Sequence, residues 1–223
     1  WLTGTLGLSA TSSVLDLGAG TGKFTRFLVD TGAQVIAVEP VDEMRAQLRR
    51  YVPGVTALAG AADDIPLADG SVDVVVCSQS FHWFATKPAL GDIHRVLRPR
   101  GKLGLVWNIR DEQTPWVKEL SAIMRPYETG TPRLHTGKWR EPFSSGLFSQ
   151  LQEQTFPYSH VGAPEQVIVA RIMSVSFIAA LPRAEQDRAR SKVRALIDNT
   201  PELAGRDEVS FPYRTAVYCC EKV

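Results

Sequence analysis

From Val14 to Gly22 the chain reads Val-Leu-Asp-Leu-Gly-Ala-Gly-Thr-Gly, an apolar strand running straight into three alternating glycines. Glycine tolerates positive φ and lets a ligand approach the backbone with no Cβ in the way. A helix that follows adds unpaired N–H groups beside that ligand. Any tight turn between strand and helix can use glycine, so the neighbouring acids carry the discrimination. Asp16 stands just ahead of the loop, and Glu39 ends the next apolar run, nineteen residues after Gly20. That is close to the spacing at which a carboxylate accepts hydrogen bonds from ribose hydroxyls, so a nucleoside-bearing ligand is predicted. The dinucleotide fingerprint G-x-G-x-x-G is not met. Its third glycine falls one residue early, at Gly22, and Lys23 occupies the expected position, which disfavours a pyrophosphate cofactor.

The region from Ser13 to Asn108 repeats one rhythm: a short Val/Ile/Leu run, a polar or glycine-containing turn, then helical spacing. Strands are predicted at 14–17, 35–39, 55–59, 72–77 and 103–108, with near-continuous apolar runs suited to burial on both faces of a parallel sheet. Crossover helices are predicted at 23–30, 42–51 and 87–97, with Asp42 as an N-cap, Arg98-Pro99 ending the third, and Arg45, Arg49 and Arg50 on a solvated face. After Asn108 the pattern weakens. Residues 110–150 are rich in Trp, Pro, Gly and Ser, as a cap or long active-site connection would be, and the tail from Gln154 reads as a strand, two helices and a last strand from Tyr213 to Cys220. At 223 residues one domain is expected, with a cofactor-binding half over 13–108 and a substrate-side half over 109–223.

Charge narrows the partners. Lys and Arg total 25 against 24 for Asp and Glu, so no bulk positive field exists to hold a nucleic acid. No apolar stretch approaches the roughly 20 residues that cross a bilayer. Cys77 stands alone and Cys219 adjoins Cys220, which gives neither a metal-ligand spacing nor a disulfide framework and points to a reducing, cytoplasmic setting. The chain opens on Trp1 rather than methionine, and a targeting segment or helix ahead of it is expected.

Residues Asp16 to Gly22 resemble the first motif of the class I S-adenosylmethionine-dependent methyltransferases. Glu39-Pro40, the stretch Gly60 to Leu67, Asp69 to Asp73 and Arg95 to Gly101 are similar to later motifs of that family in the right order, over roughly residues 13–108. The resemblance implies an α/β, Rossmann-like, mostly parallel seven-stranded sheet with an antiparallel last strand, helices on both faces and a cap insertion. It also implies S-adenosyl-L-methionine as cofactor. Gly18 and Gly20 would face its methionine part, with Asp16, Ala19 and Gly22 completing the loop. Glu39, followed by Pro40, would hold the ribose, Asp63 beside Ala62 would bond the adenine amino group, and Cys77, Ser78 and Gln79 would line the cleft after the fourth strand. Where the family shows Pro-Gly-Gly this chain has Pro99-Arg100-Gly101, a departure that bears on the geometry of that turn. A looser similarity, through residues 174–178 and 212–215, is to the subgroup that includes trans-aconitate methyltransferase-like proteins.

Open α/β sheets bind ligands beyond the carboxyl ends of their strands, so the run Gln79 to Phe84 should border the reacting methyl group. His82 is the candidate general base, against a packing role in an aromatic cluster. Methyl transfer from a sulfonium needs chiefly alignment and exclusion of water, and an acceptor already ionised at neutral pH needs no base. Trp83, Trp107, Trp139 and Arg110 are the candidate acceptor contacts, with Trp116, Tyr127, Phe143, Arg133, His135, Lys138 and Arg140 nearby. A mixed aromatic and cationic wall suits a carboxylate or another small, partly apolar anion, although these aromatics serve a cap core equally well. Two other readings share the fold: a nicotinamide-dependent oxidoreductase, opposed by the glycine spacing, and a protein that keeps the cofactor fold but acts as a scaffold.

Overall fold

The computed structural model describes residues 1–128, 132 and 134–223. Seven strands, β1 (Ser13–Leu17), β2 (Gln34–Val38), β3 (Thr56–Leu58), β4 (Val72–Ser78), β5 (Leu97–Arg110), β6 (Gln152–Gly162) and β7 (Val209–Glu221), form one sheet in the order β3-β2-β1-β4-β5-β7-β6. The first five are parallel, with Leu15 opposite Ile36 on one side and Val75 on the other. β7 runs against β5: the Lys222 N–H bonds the Gly101 carbonyl at one end, and the Asp111 N–H bonds the Pro212 carbonyl at the other. The helices α1 (Thr25–Val29), α2 (Asp42–Tyr51) and α3 (Lys87–Val96) fall in the first half, and α4 (Pro115–Met124), α5 (Arg171–Met173), α6 (Ser176–Ala179) and α7 (Arg183–Asn199) in the second. Among the described residues no helix is long and apolar enough to cross a membrane.

The chain divides into two compact units. The first holds 1–107, 132–154 and 216–223; the second holds 108–131 and 155–215. In the first, the apolar strand residues are buried as their runs foretell, with Val14, Leu15, Val75 and Val76 all at 0% exposure. Asp73 fastens the lower end of this sheet. Its carboxylate accepts from the Ser13 N–H and hydroxyl, both at 2.8 Å, and from Arg98 at 2.7 Å, which outweighs burial and holds it below the usual carboxylate range. The second unit packs its own core from α4, α7 and a π-helical turn at Glu165–Ala170, around Leu120, Ile168, Val193 and Phe211.

Several local expectations change. Asp42 is the first residue inside α2 and the N-cap is Val41, which has no capping side chain; Asp42 instead pairs with Arg45 and places negative charge at the positive end of the helix. Arg45 is not on a solvated face. It is 8% exposed, and its guanidinium donates to the carbonyls of Glu39 at 2.6 Å and Pro40 at 2.8 Å, while Arg49 donates to the Ala57 carbonyl at 2.9 Å. These arginines direct η donors to carbonyls of or just beyond the strands, partners that sequence periodicity cannot see, while the Arg45 Nε has none among the described residues. α1 starts two residues later than its spacing predicts, because positive φ at Gly20 and Gly22 keeps the chain turning.

β5 begins six residues before its apolar run and takes in Pro99, Arg100 and Gly101. Arg100 sits at a φ of 61°, the left-handed region that favours glycine. Its side chain is 87% exposed and meets Glu221 at 3.0 Å, a pair too solvated to offset the strain. The strain is about 1–2 kcal/mol, and glycine's greater loss of chain entropy returns part of it. Arg100→Gly is therefore expected to stabilise the protein by about 0.5–1 kcal/mol in urea unfolding. A loss of stability would show that the turn is not strained.

Candidate functional site

The three glycines of the loop do different work. All have positive φ. A Cβ on Gly18 would lie 2.7 Å from the Ser80 Cβ, and one on Gly22 would lie 2.9 Å from the Leu48 Cγ, so Gly18 admits the residue after β4 and Gly22 admits α2. Only at Gly20 would a Cβ meet nothing within 4 Å, so of the three it is Gly20 that borders open space. The Gly18 and Ala19 N–H groups bond the Val38 carbonyl at 2.8 and 3.2 Å, and the Gly22 N–H bonds the Ala19 carbonyl at 3.0 Å. The loop thus offers shape more than N–H donors.

Glu39 meets the loop from β2. It is 6% exposed; its Oε2 accepts from the Gly20 N–H at 2.9 Å and its Oε1 from the Val41 N–H at 3.1 Å. Each oxygen keeps a second lone pair. The turn that carries Glu39 is held from behind by Arg45, as above. Pro40 is exposed beside it.

Asp16 lies beneath the loop, 1% exposed. Thr25 donates to its Oδ2 at 2.7 Å, while its Oδ1 has no partner among the described residues. Burial, opposed by the Thr25 hydrogen bond and reinforced by Glu39, raises its pKa to about 7. An unsatisfied buried carboxyl oxygen beneath an open loop fits a ligand that brings donors or positive charge.

Ala62 is buried, whereas Asp63 and Asp64 are exposed on the loop after β3. That loop is clamped from α3: Asp92 accepts from the Ile65 N–H at 2.6 Å, and Arg95 donates to the carbonyls of Ile65 at 2.9 Å and Leu67 at 2.7 Å. The Arg95 hydrogen bond also holds Asp92 below the usual carboxylate range. Asp92 and Arg45 position the site from outside every motif, and Arg95 and Ser80 do so from within the stretches 95–101 and 79–84, which do not announce these contacts. Their roles are backbone contacts between elements far apart in sequence.

After β4, Cys77 is fully buried with its thiol pushed well up by burial, so it stands behind the cleft rather than lining it. Ser78 is half-buried, and Gln79 is exposed with a φ of 58°, strained for a non-glycine residue at the carboxyl end of a strand. Ser80 donates to the Leu17 carbonyl at 2.8 Å and so ties this bend to the glycine loop.

His82 and Trp107 meet directly, the indole N–H donating to His82 Nδ1 at 3.2 Å. That bond requires a lone pair on Nδ1 and, in the neutral ring, places the proton on Nε2. Trp83 is 48% exposed, but Trp107 and Trp139 are 1% and 3% exposed, with ring centroids 4.8 Å apart. They form an aromatic core with Phe81, Phe143 and Tyr218 rather than an open wall. Arg140 caps that core, 4.3 Å from the Trp139 ring centroid and 3.3 Å from Glu153, which also accepts from the Tyr218 hydroxyl at 2.9 Å. Burial first, then Glu153, pushes the Tyr218 phenol up to about 12. Arg110 belongs to the second unit and donates to Ser121. Trp116 is buried in that unit's core, and Arg133 lies outside the described residues.

Comparison with known proteins bears on the family and the fold. A family model described as a methyltransferase domain matches residues 15–105. An uncharacterised methyltransferase-like protein of Schizosaccharomyces pombe is 39% identical over 100% of this chain and 87% of its own length. An uncharacterised methyltransferase of Mycobacterium bovis is 39% identical over 93% of this chain and 82% of its own. Among solved structures, the YcgJ protein of Bacillus subtilis matches with a TM-score of 0.62 at 21% identity, covering 98% of this chain and 94% of that one, a likeness of fold.

Two measurements check the geometry. Asp16 has a folded pKa above its unfolded value, so the folded state binds its proton more tightly and stability falls as pH rises from about 4 to about 7. The loss across that window is on the order of 3 kcal/mol. Asp16→Asn removes this component, so the stability difference between variant and wild type in urea should grow in the variant's favour from pH 4.5 to pH 8. A difference independent of pH would mean that the carboxyl does not titrate there. For His82, long-range 1H–15N correlation at pH 8 should read the Nε2–H tautomer; a proton on Nδ1 would contradict the Trp107 bond.

Proposed function

Because this chain belongs to the class I S-adenosylmethionine-dependent methyltransferases, we propose that it methylates a small-molecule acceptor, a carboxylate or another small, partly apolar anion, by in-line displacement. The observation that carries the reading is the Glu39 carboxylate, fixed by two backbone N–H groups beside the one loop glycine that borders open space. The cofactor implied by family and fold supplies, when bound, a methyl group on a sulfonium that needs no redox partner.

The residues that would hold it have separate tasks. The free lone pairs of Glu39 accept from the two sugar hydroxyls, a bidentate demand that a carboxylate meets. Gly20 keeps the backbone low enough for close approach. The Asp16 Oδ1, unpaired and buried, accepts from a donor or balances positive charge, and in doing so recovers the free energy that burial costs it. Asp63, exposed on the loop clamped by Asp92 and Arg95, would accept from the adenine amino group.

His82 enters this reading as a donor from Nε2, since its other nitrogen is engaged by Trp107. An acceptor ionised at neutral pH needs no base, because alignment and exclusion of water then account for the rate. The near balance of charge supports a small acceptor over a nucleic acid. Three buried, unpaired cysteine thiols support a reducing, cytoplasmic setting.

Glu39→Ala is expected to weaken S-adenosylhomocysteine binding, read by calorimetry, by about 1–3 kcal/mol, the cost of unpaired hydroxyls and of a loop that has lost its anchor. Asp63→Ala should weaken it less, because an exposed carboxylate competes with water. Undiminished affinity in a folded Glu39→Ala protein would remove the nucleoside from this loop.

A further inference from the structure

The seam between α1 and α2, within the first unit, holds a cleft that the cofactor reading does not use. The loop before α1 meets α2 at Gly22, where a Cβ would lie 2.9 Å from the Leu48 Cγ. Thr21 and Lys23 flank Gly22 in the chain and Gln47 precedes Leu48. With Arg26, Phe27 and Tyr51 they line a surface cleft of about 390 Å³. That volume lies toward the lower end of the range of about 300–1,000 Å³ that small ligands occupy.

Two cations and no acid line this cleft. Arg26 lies over two rings, its Cζ 5.4 Å from the Phe27 centroid and 6.0 Å from that of Tyr51. A ring face attracts a guanidinium without taking up its fork of N–H donors, so these contacts place Arg26 and leave it able to bind an anion. Among the described residues neither the Arg26 guanidinium nor the Lys23 ammonium has a carboxylate or a hydrogen-bond acceptor. Arg95, Arg98, Arg100 and Arg140 of the same unit each meet a carboxylate. The cleft therefore carries two positive charges that the chain itself does not answer.

The rings beside those charges are open. Phe27 is 49% exposed and Tyr51 is 48% exposed. Phe24, which packs on the core of the unit, braces the Phe27 ring at 6.1 Å between centroids. Rings held in water next to a cation offer faces on which another ring stacks, and a stacked ring displaces water from the guanidinium and strengthens its pairing with an anion. Thr21 and Gln47 add a hydroxyl and an amide to the lining. Open donors and apolar faces side by side select a ligand that joins an oxyanion to an aromatic ring.

We propose that this cleft binds a small aromatic oxyanion, an aryl carboxylate or an aryl phosphate, with its charge on Arg26 and Lys23 and its ring against Phe27 and Tyr51. Arg26 supplies paired N–H donors that match either oxyanion, and Lys23 supplies a second, mobile charge. The site requires nothing of the methyl-transfer reading, since every residue in it belongs to the first unit and none is assigned to the cofactor.

The test is titration of the 15N-labelled full chain at constant ionic strength, free and with S-adenosylhomocysteine in excess, followed by backbone amide shifts. The probes are benzoate, phenyl phosphate, the neutral benzamide and the non-aromatic cyclohexanecarboxylate. Shifts should centre on Thr21, Lys23, Arg26, Phe27, Gln47 and Tyr51. At least one aromatic anion should bind at least about fivefold more tightly than both benzamide and cyclohexanecarboxylate, and the tighter of the two aromatic anions identifies carboxylate or phosphate as the preferred group. Arg26→Gln should weaken that anion at least about fivefold and leave benzamide within about twofold, whereas Tyr51→Ala should weaken both. Arg26 and Tyr51 are exposed, so these variants separate loss of binding from loss of folding. Equal affinity for benzamide or for cyclohexanecarboxylate, shifts centred elsewhere, full anion affinity in Arg26→Gln, or displacement of the anion by S-adenosylhomocysteine would each overturn the proposal. Failure of S-adenosylhomocysteine to bind wild-type protein would instead strike the cofactor assignment, and titration of the free chain would still decide the cleft.

Discussion

The hydrogen bond from the Gly20 N–H to Glu39 joins the end of β2 to the turn after β1, and most of what positions the candidate site follows from keeping those two points together. A carboxylate at a strand end would ordinarily be free to turn into solvent. Here the Val41 N–H takes its other oxygen, and the carbonyl of Glu39 itself is held by a buried Arg45. Backbone donors fix the oxygens and leave each a second lone pair for a ligand. A cation in the same place would hold the carboxylate equally well and use up those lone pairs.

The same economy governs the elements around the loop. Gly22 lets Leu48 of α2 come close, and α2 is the helix that carries Arg45; Gly18 lets Ser80 come close, and Ser80 bonds the last residue of β1. Packing of α2 and fixation of Glu39 are therefore one event rather than two. A substitution at Gly22 would be felt at Glu39 through a helix shift, with no contact of its own to the ligand.

How much of this could be read in advance depends on whether the cause was local. The seven strands, the loop and the spacing of Glu39 were legible, because periodicity and glycine chemistry act over a few residues. Arg45 was misread as solvated. On a helical wheel it shares the polar face with Arg49, and only the third dimension brings the Glu39 and Pro40 carbonyls within its reach. Trp107 and Trp139 carry the composition of a ligand wall, yet each lies against a ring distant in sequence, Trp107 beside Trp139 and Trp139 beside Tyr218. The insertion of β7 between β5 and β6 has no local signature either, since an apolar alternating strand suits an inner or an outer place.

The near-zero net charge of the chain conceals a local imbalance in the first unit, where a buried Asp16 has an oxygen with no donor among the described residues. It costs stability in the free protein, because a buried polar group without a partner has lost water and gained nothing. Thr25 answers only the other oxygen, so packing within the unit leaves that cost standing. A ligand that brought a donor or positive charge to the loop would recover the withheld stability on binding, and the same free energy would discriminate against ligands that lack the match.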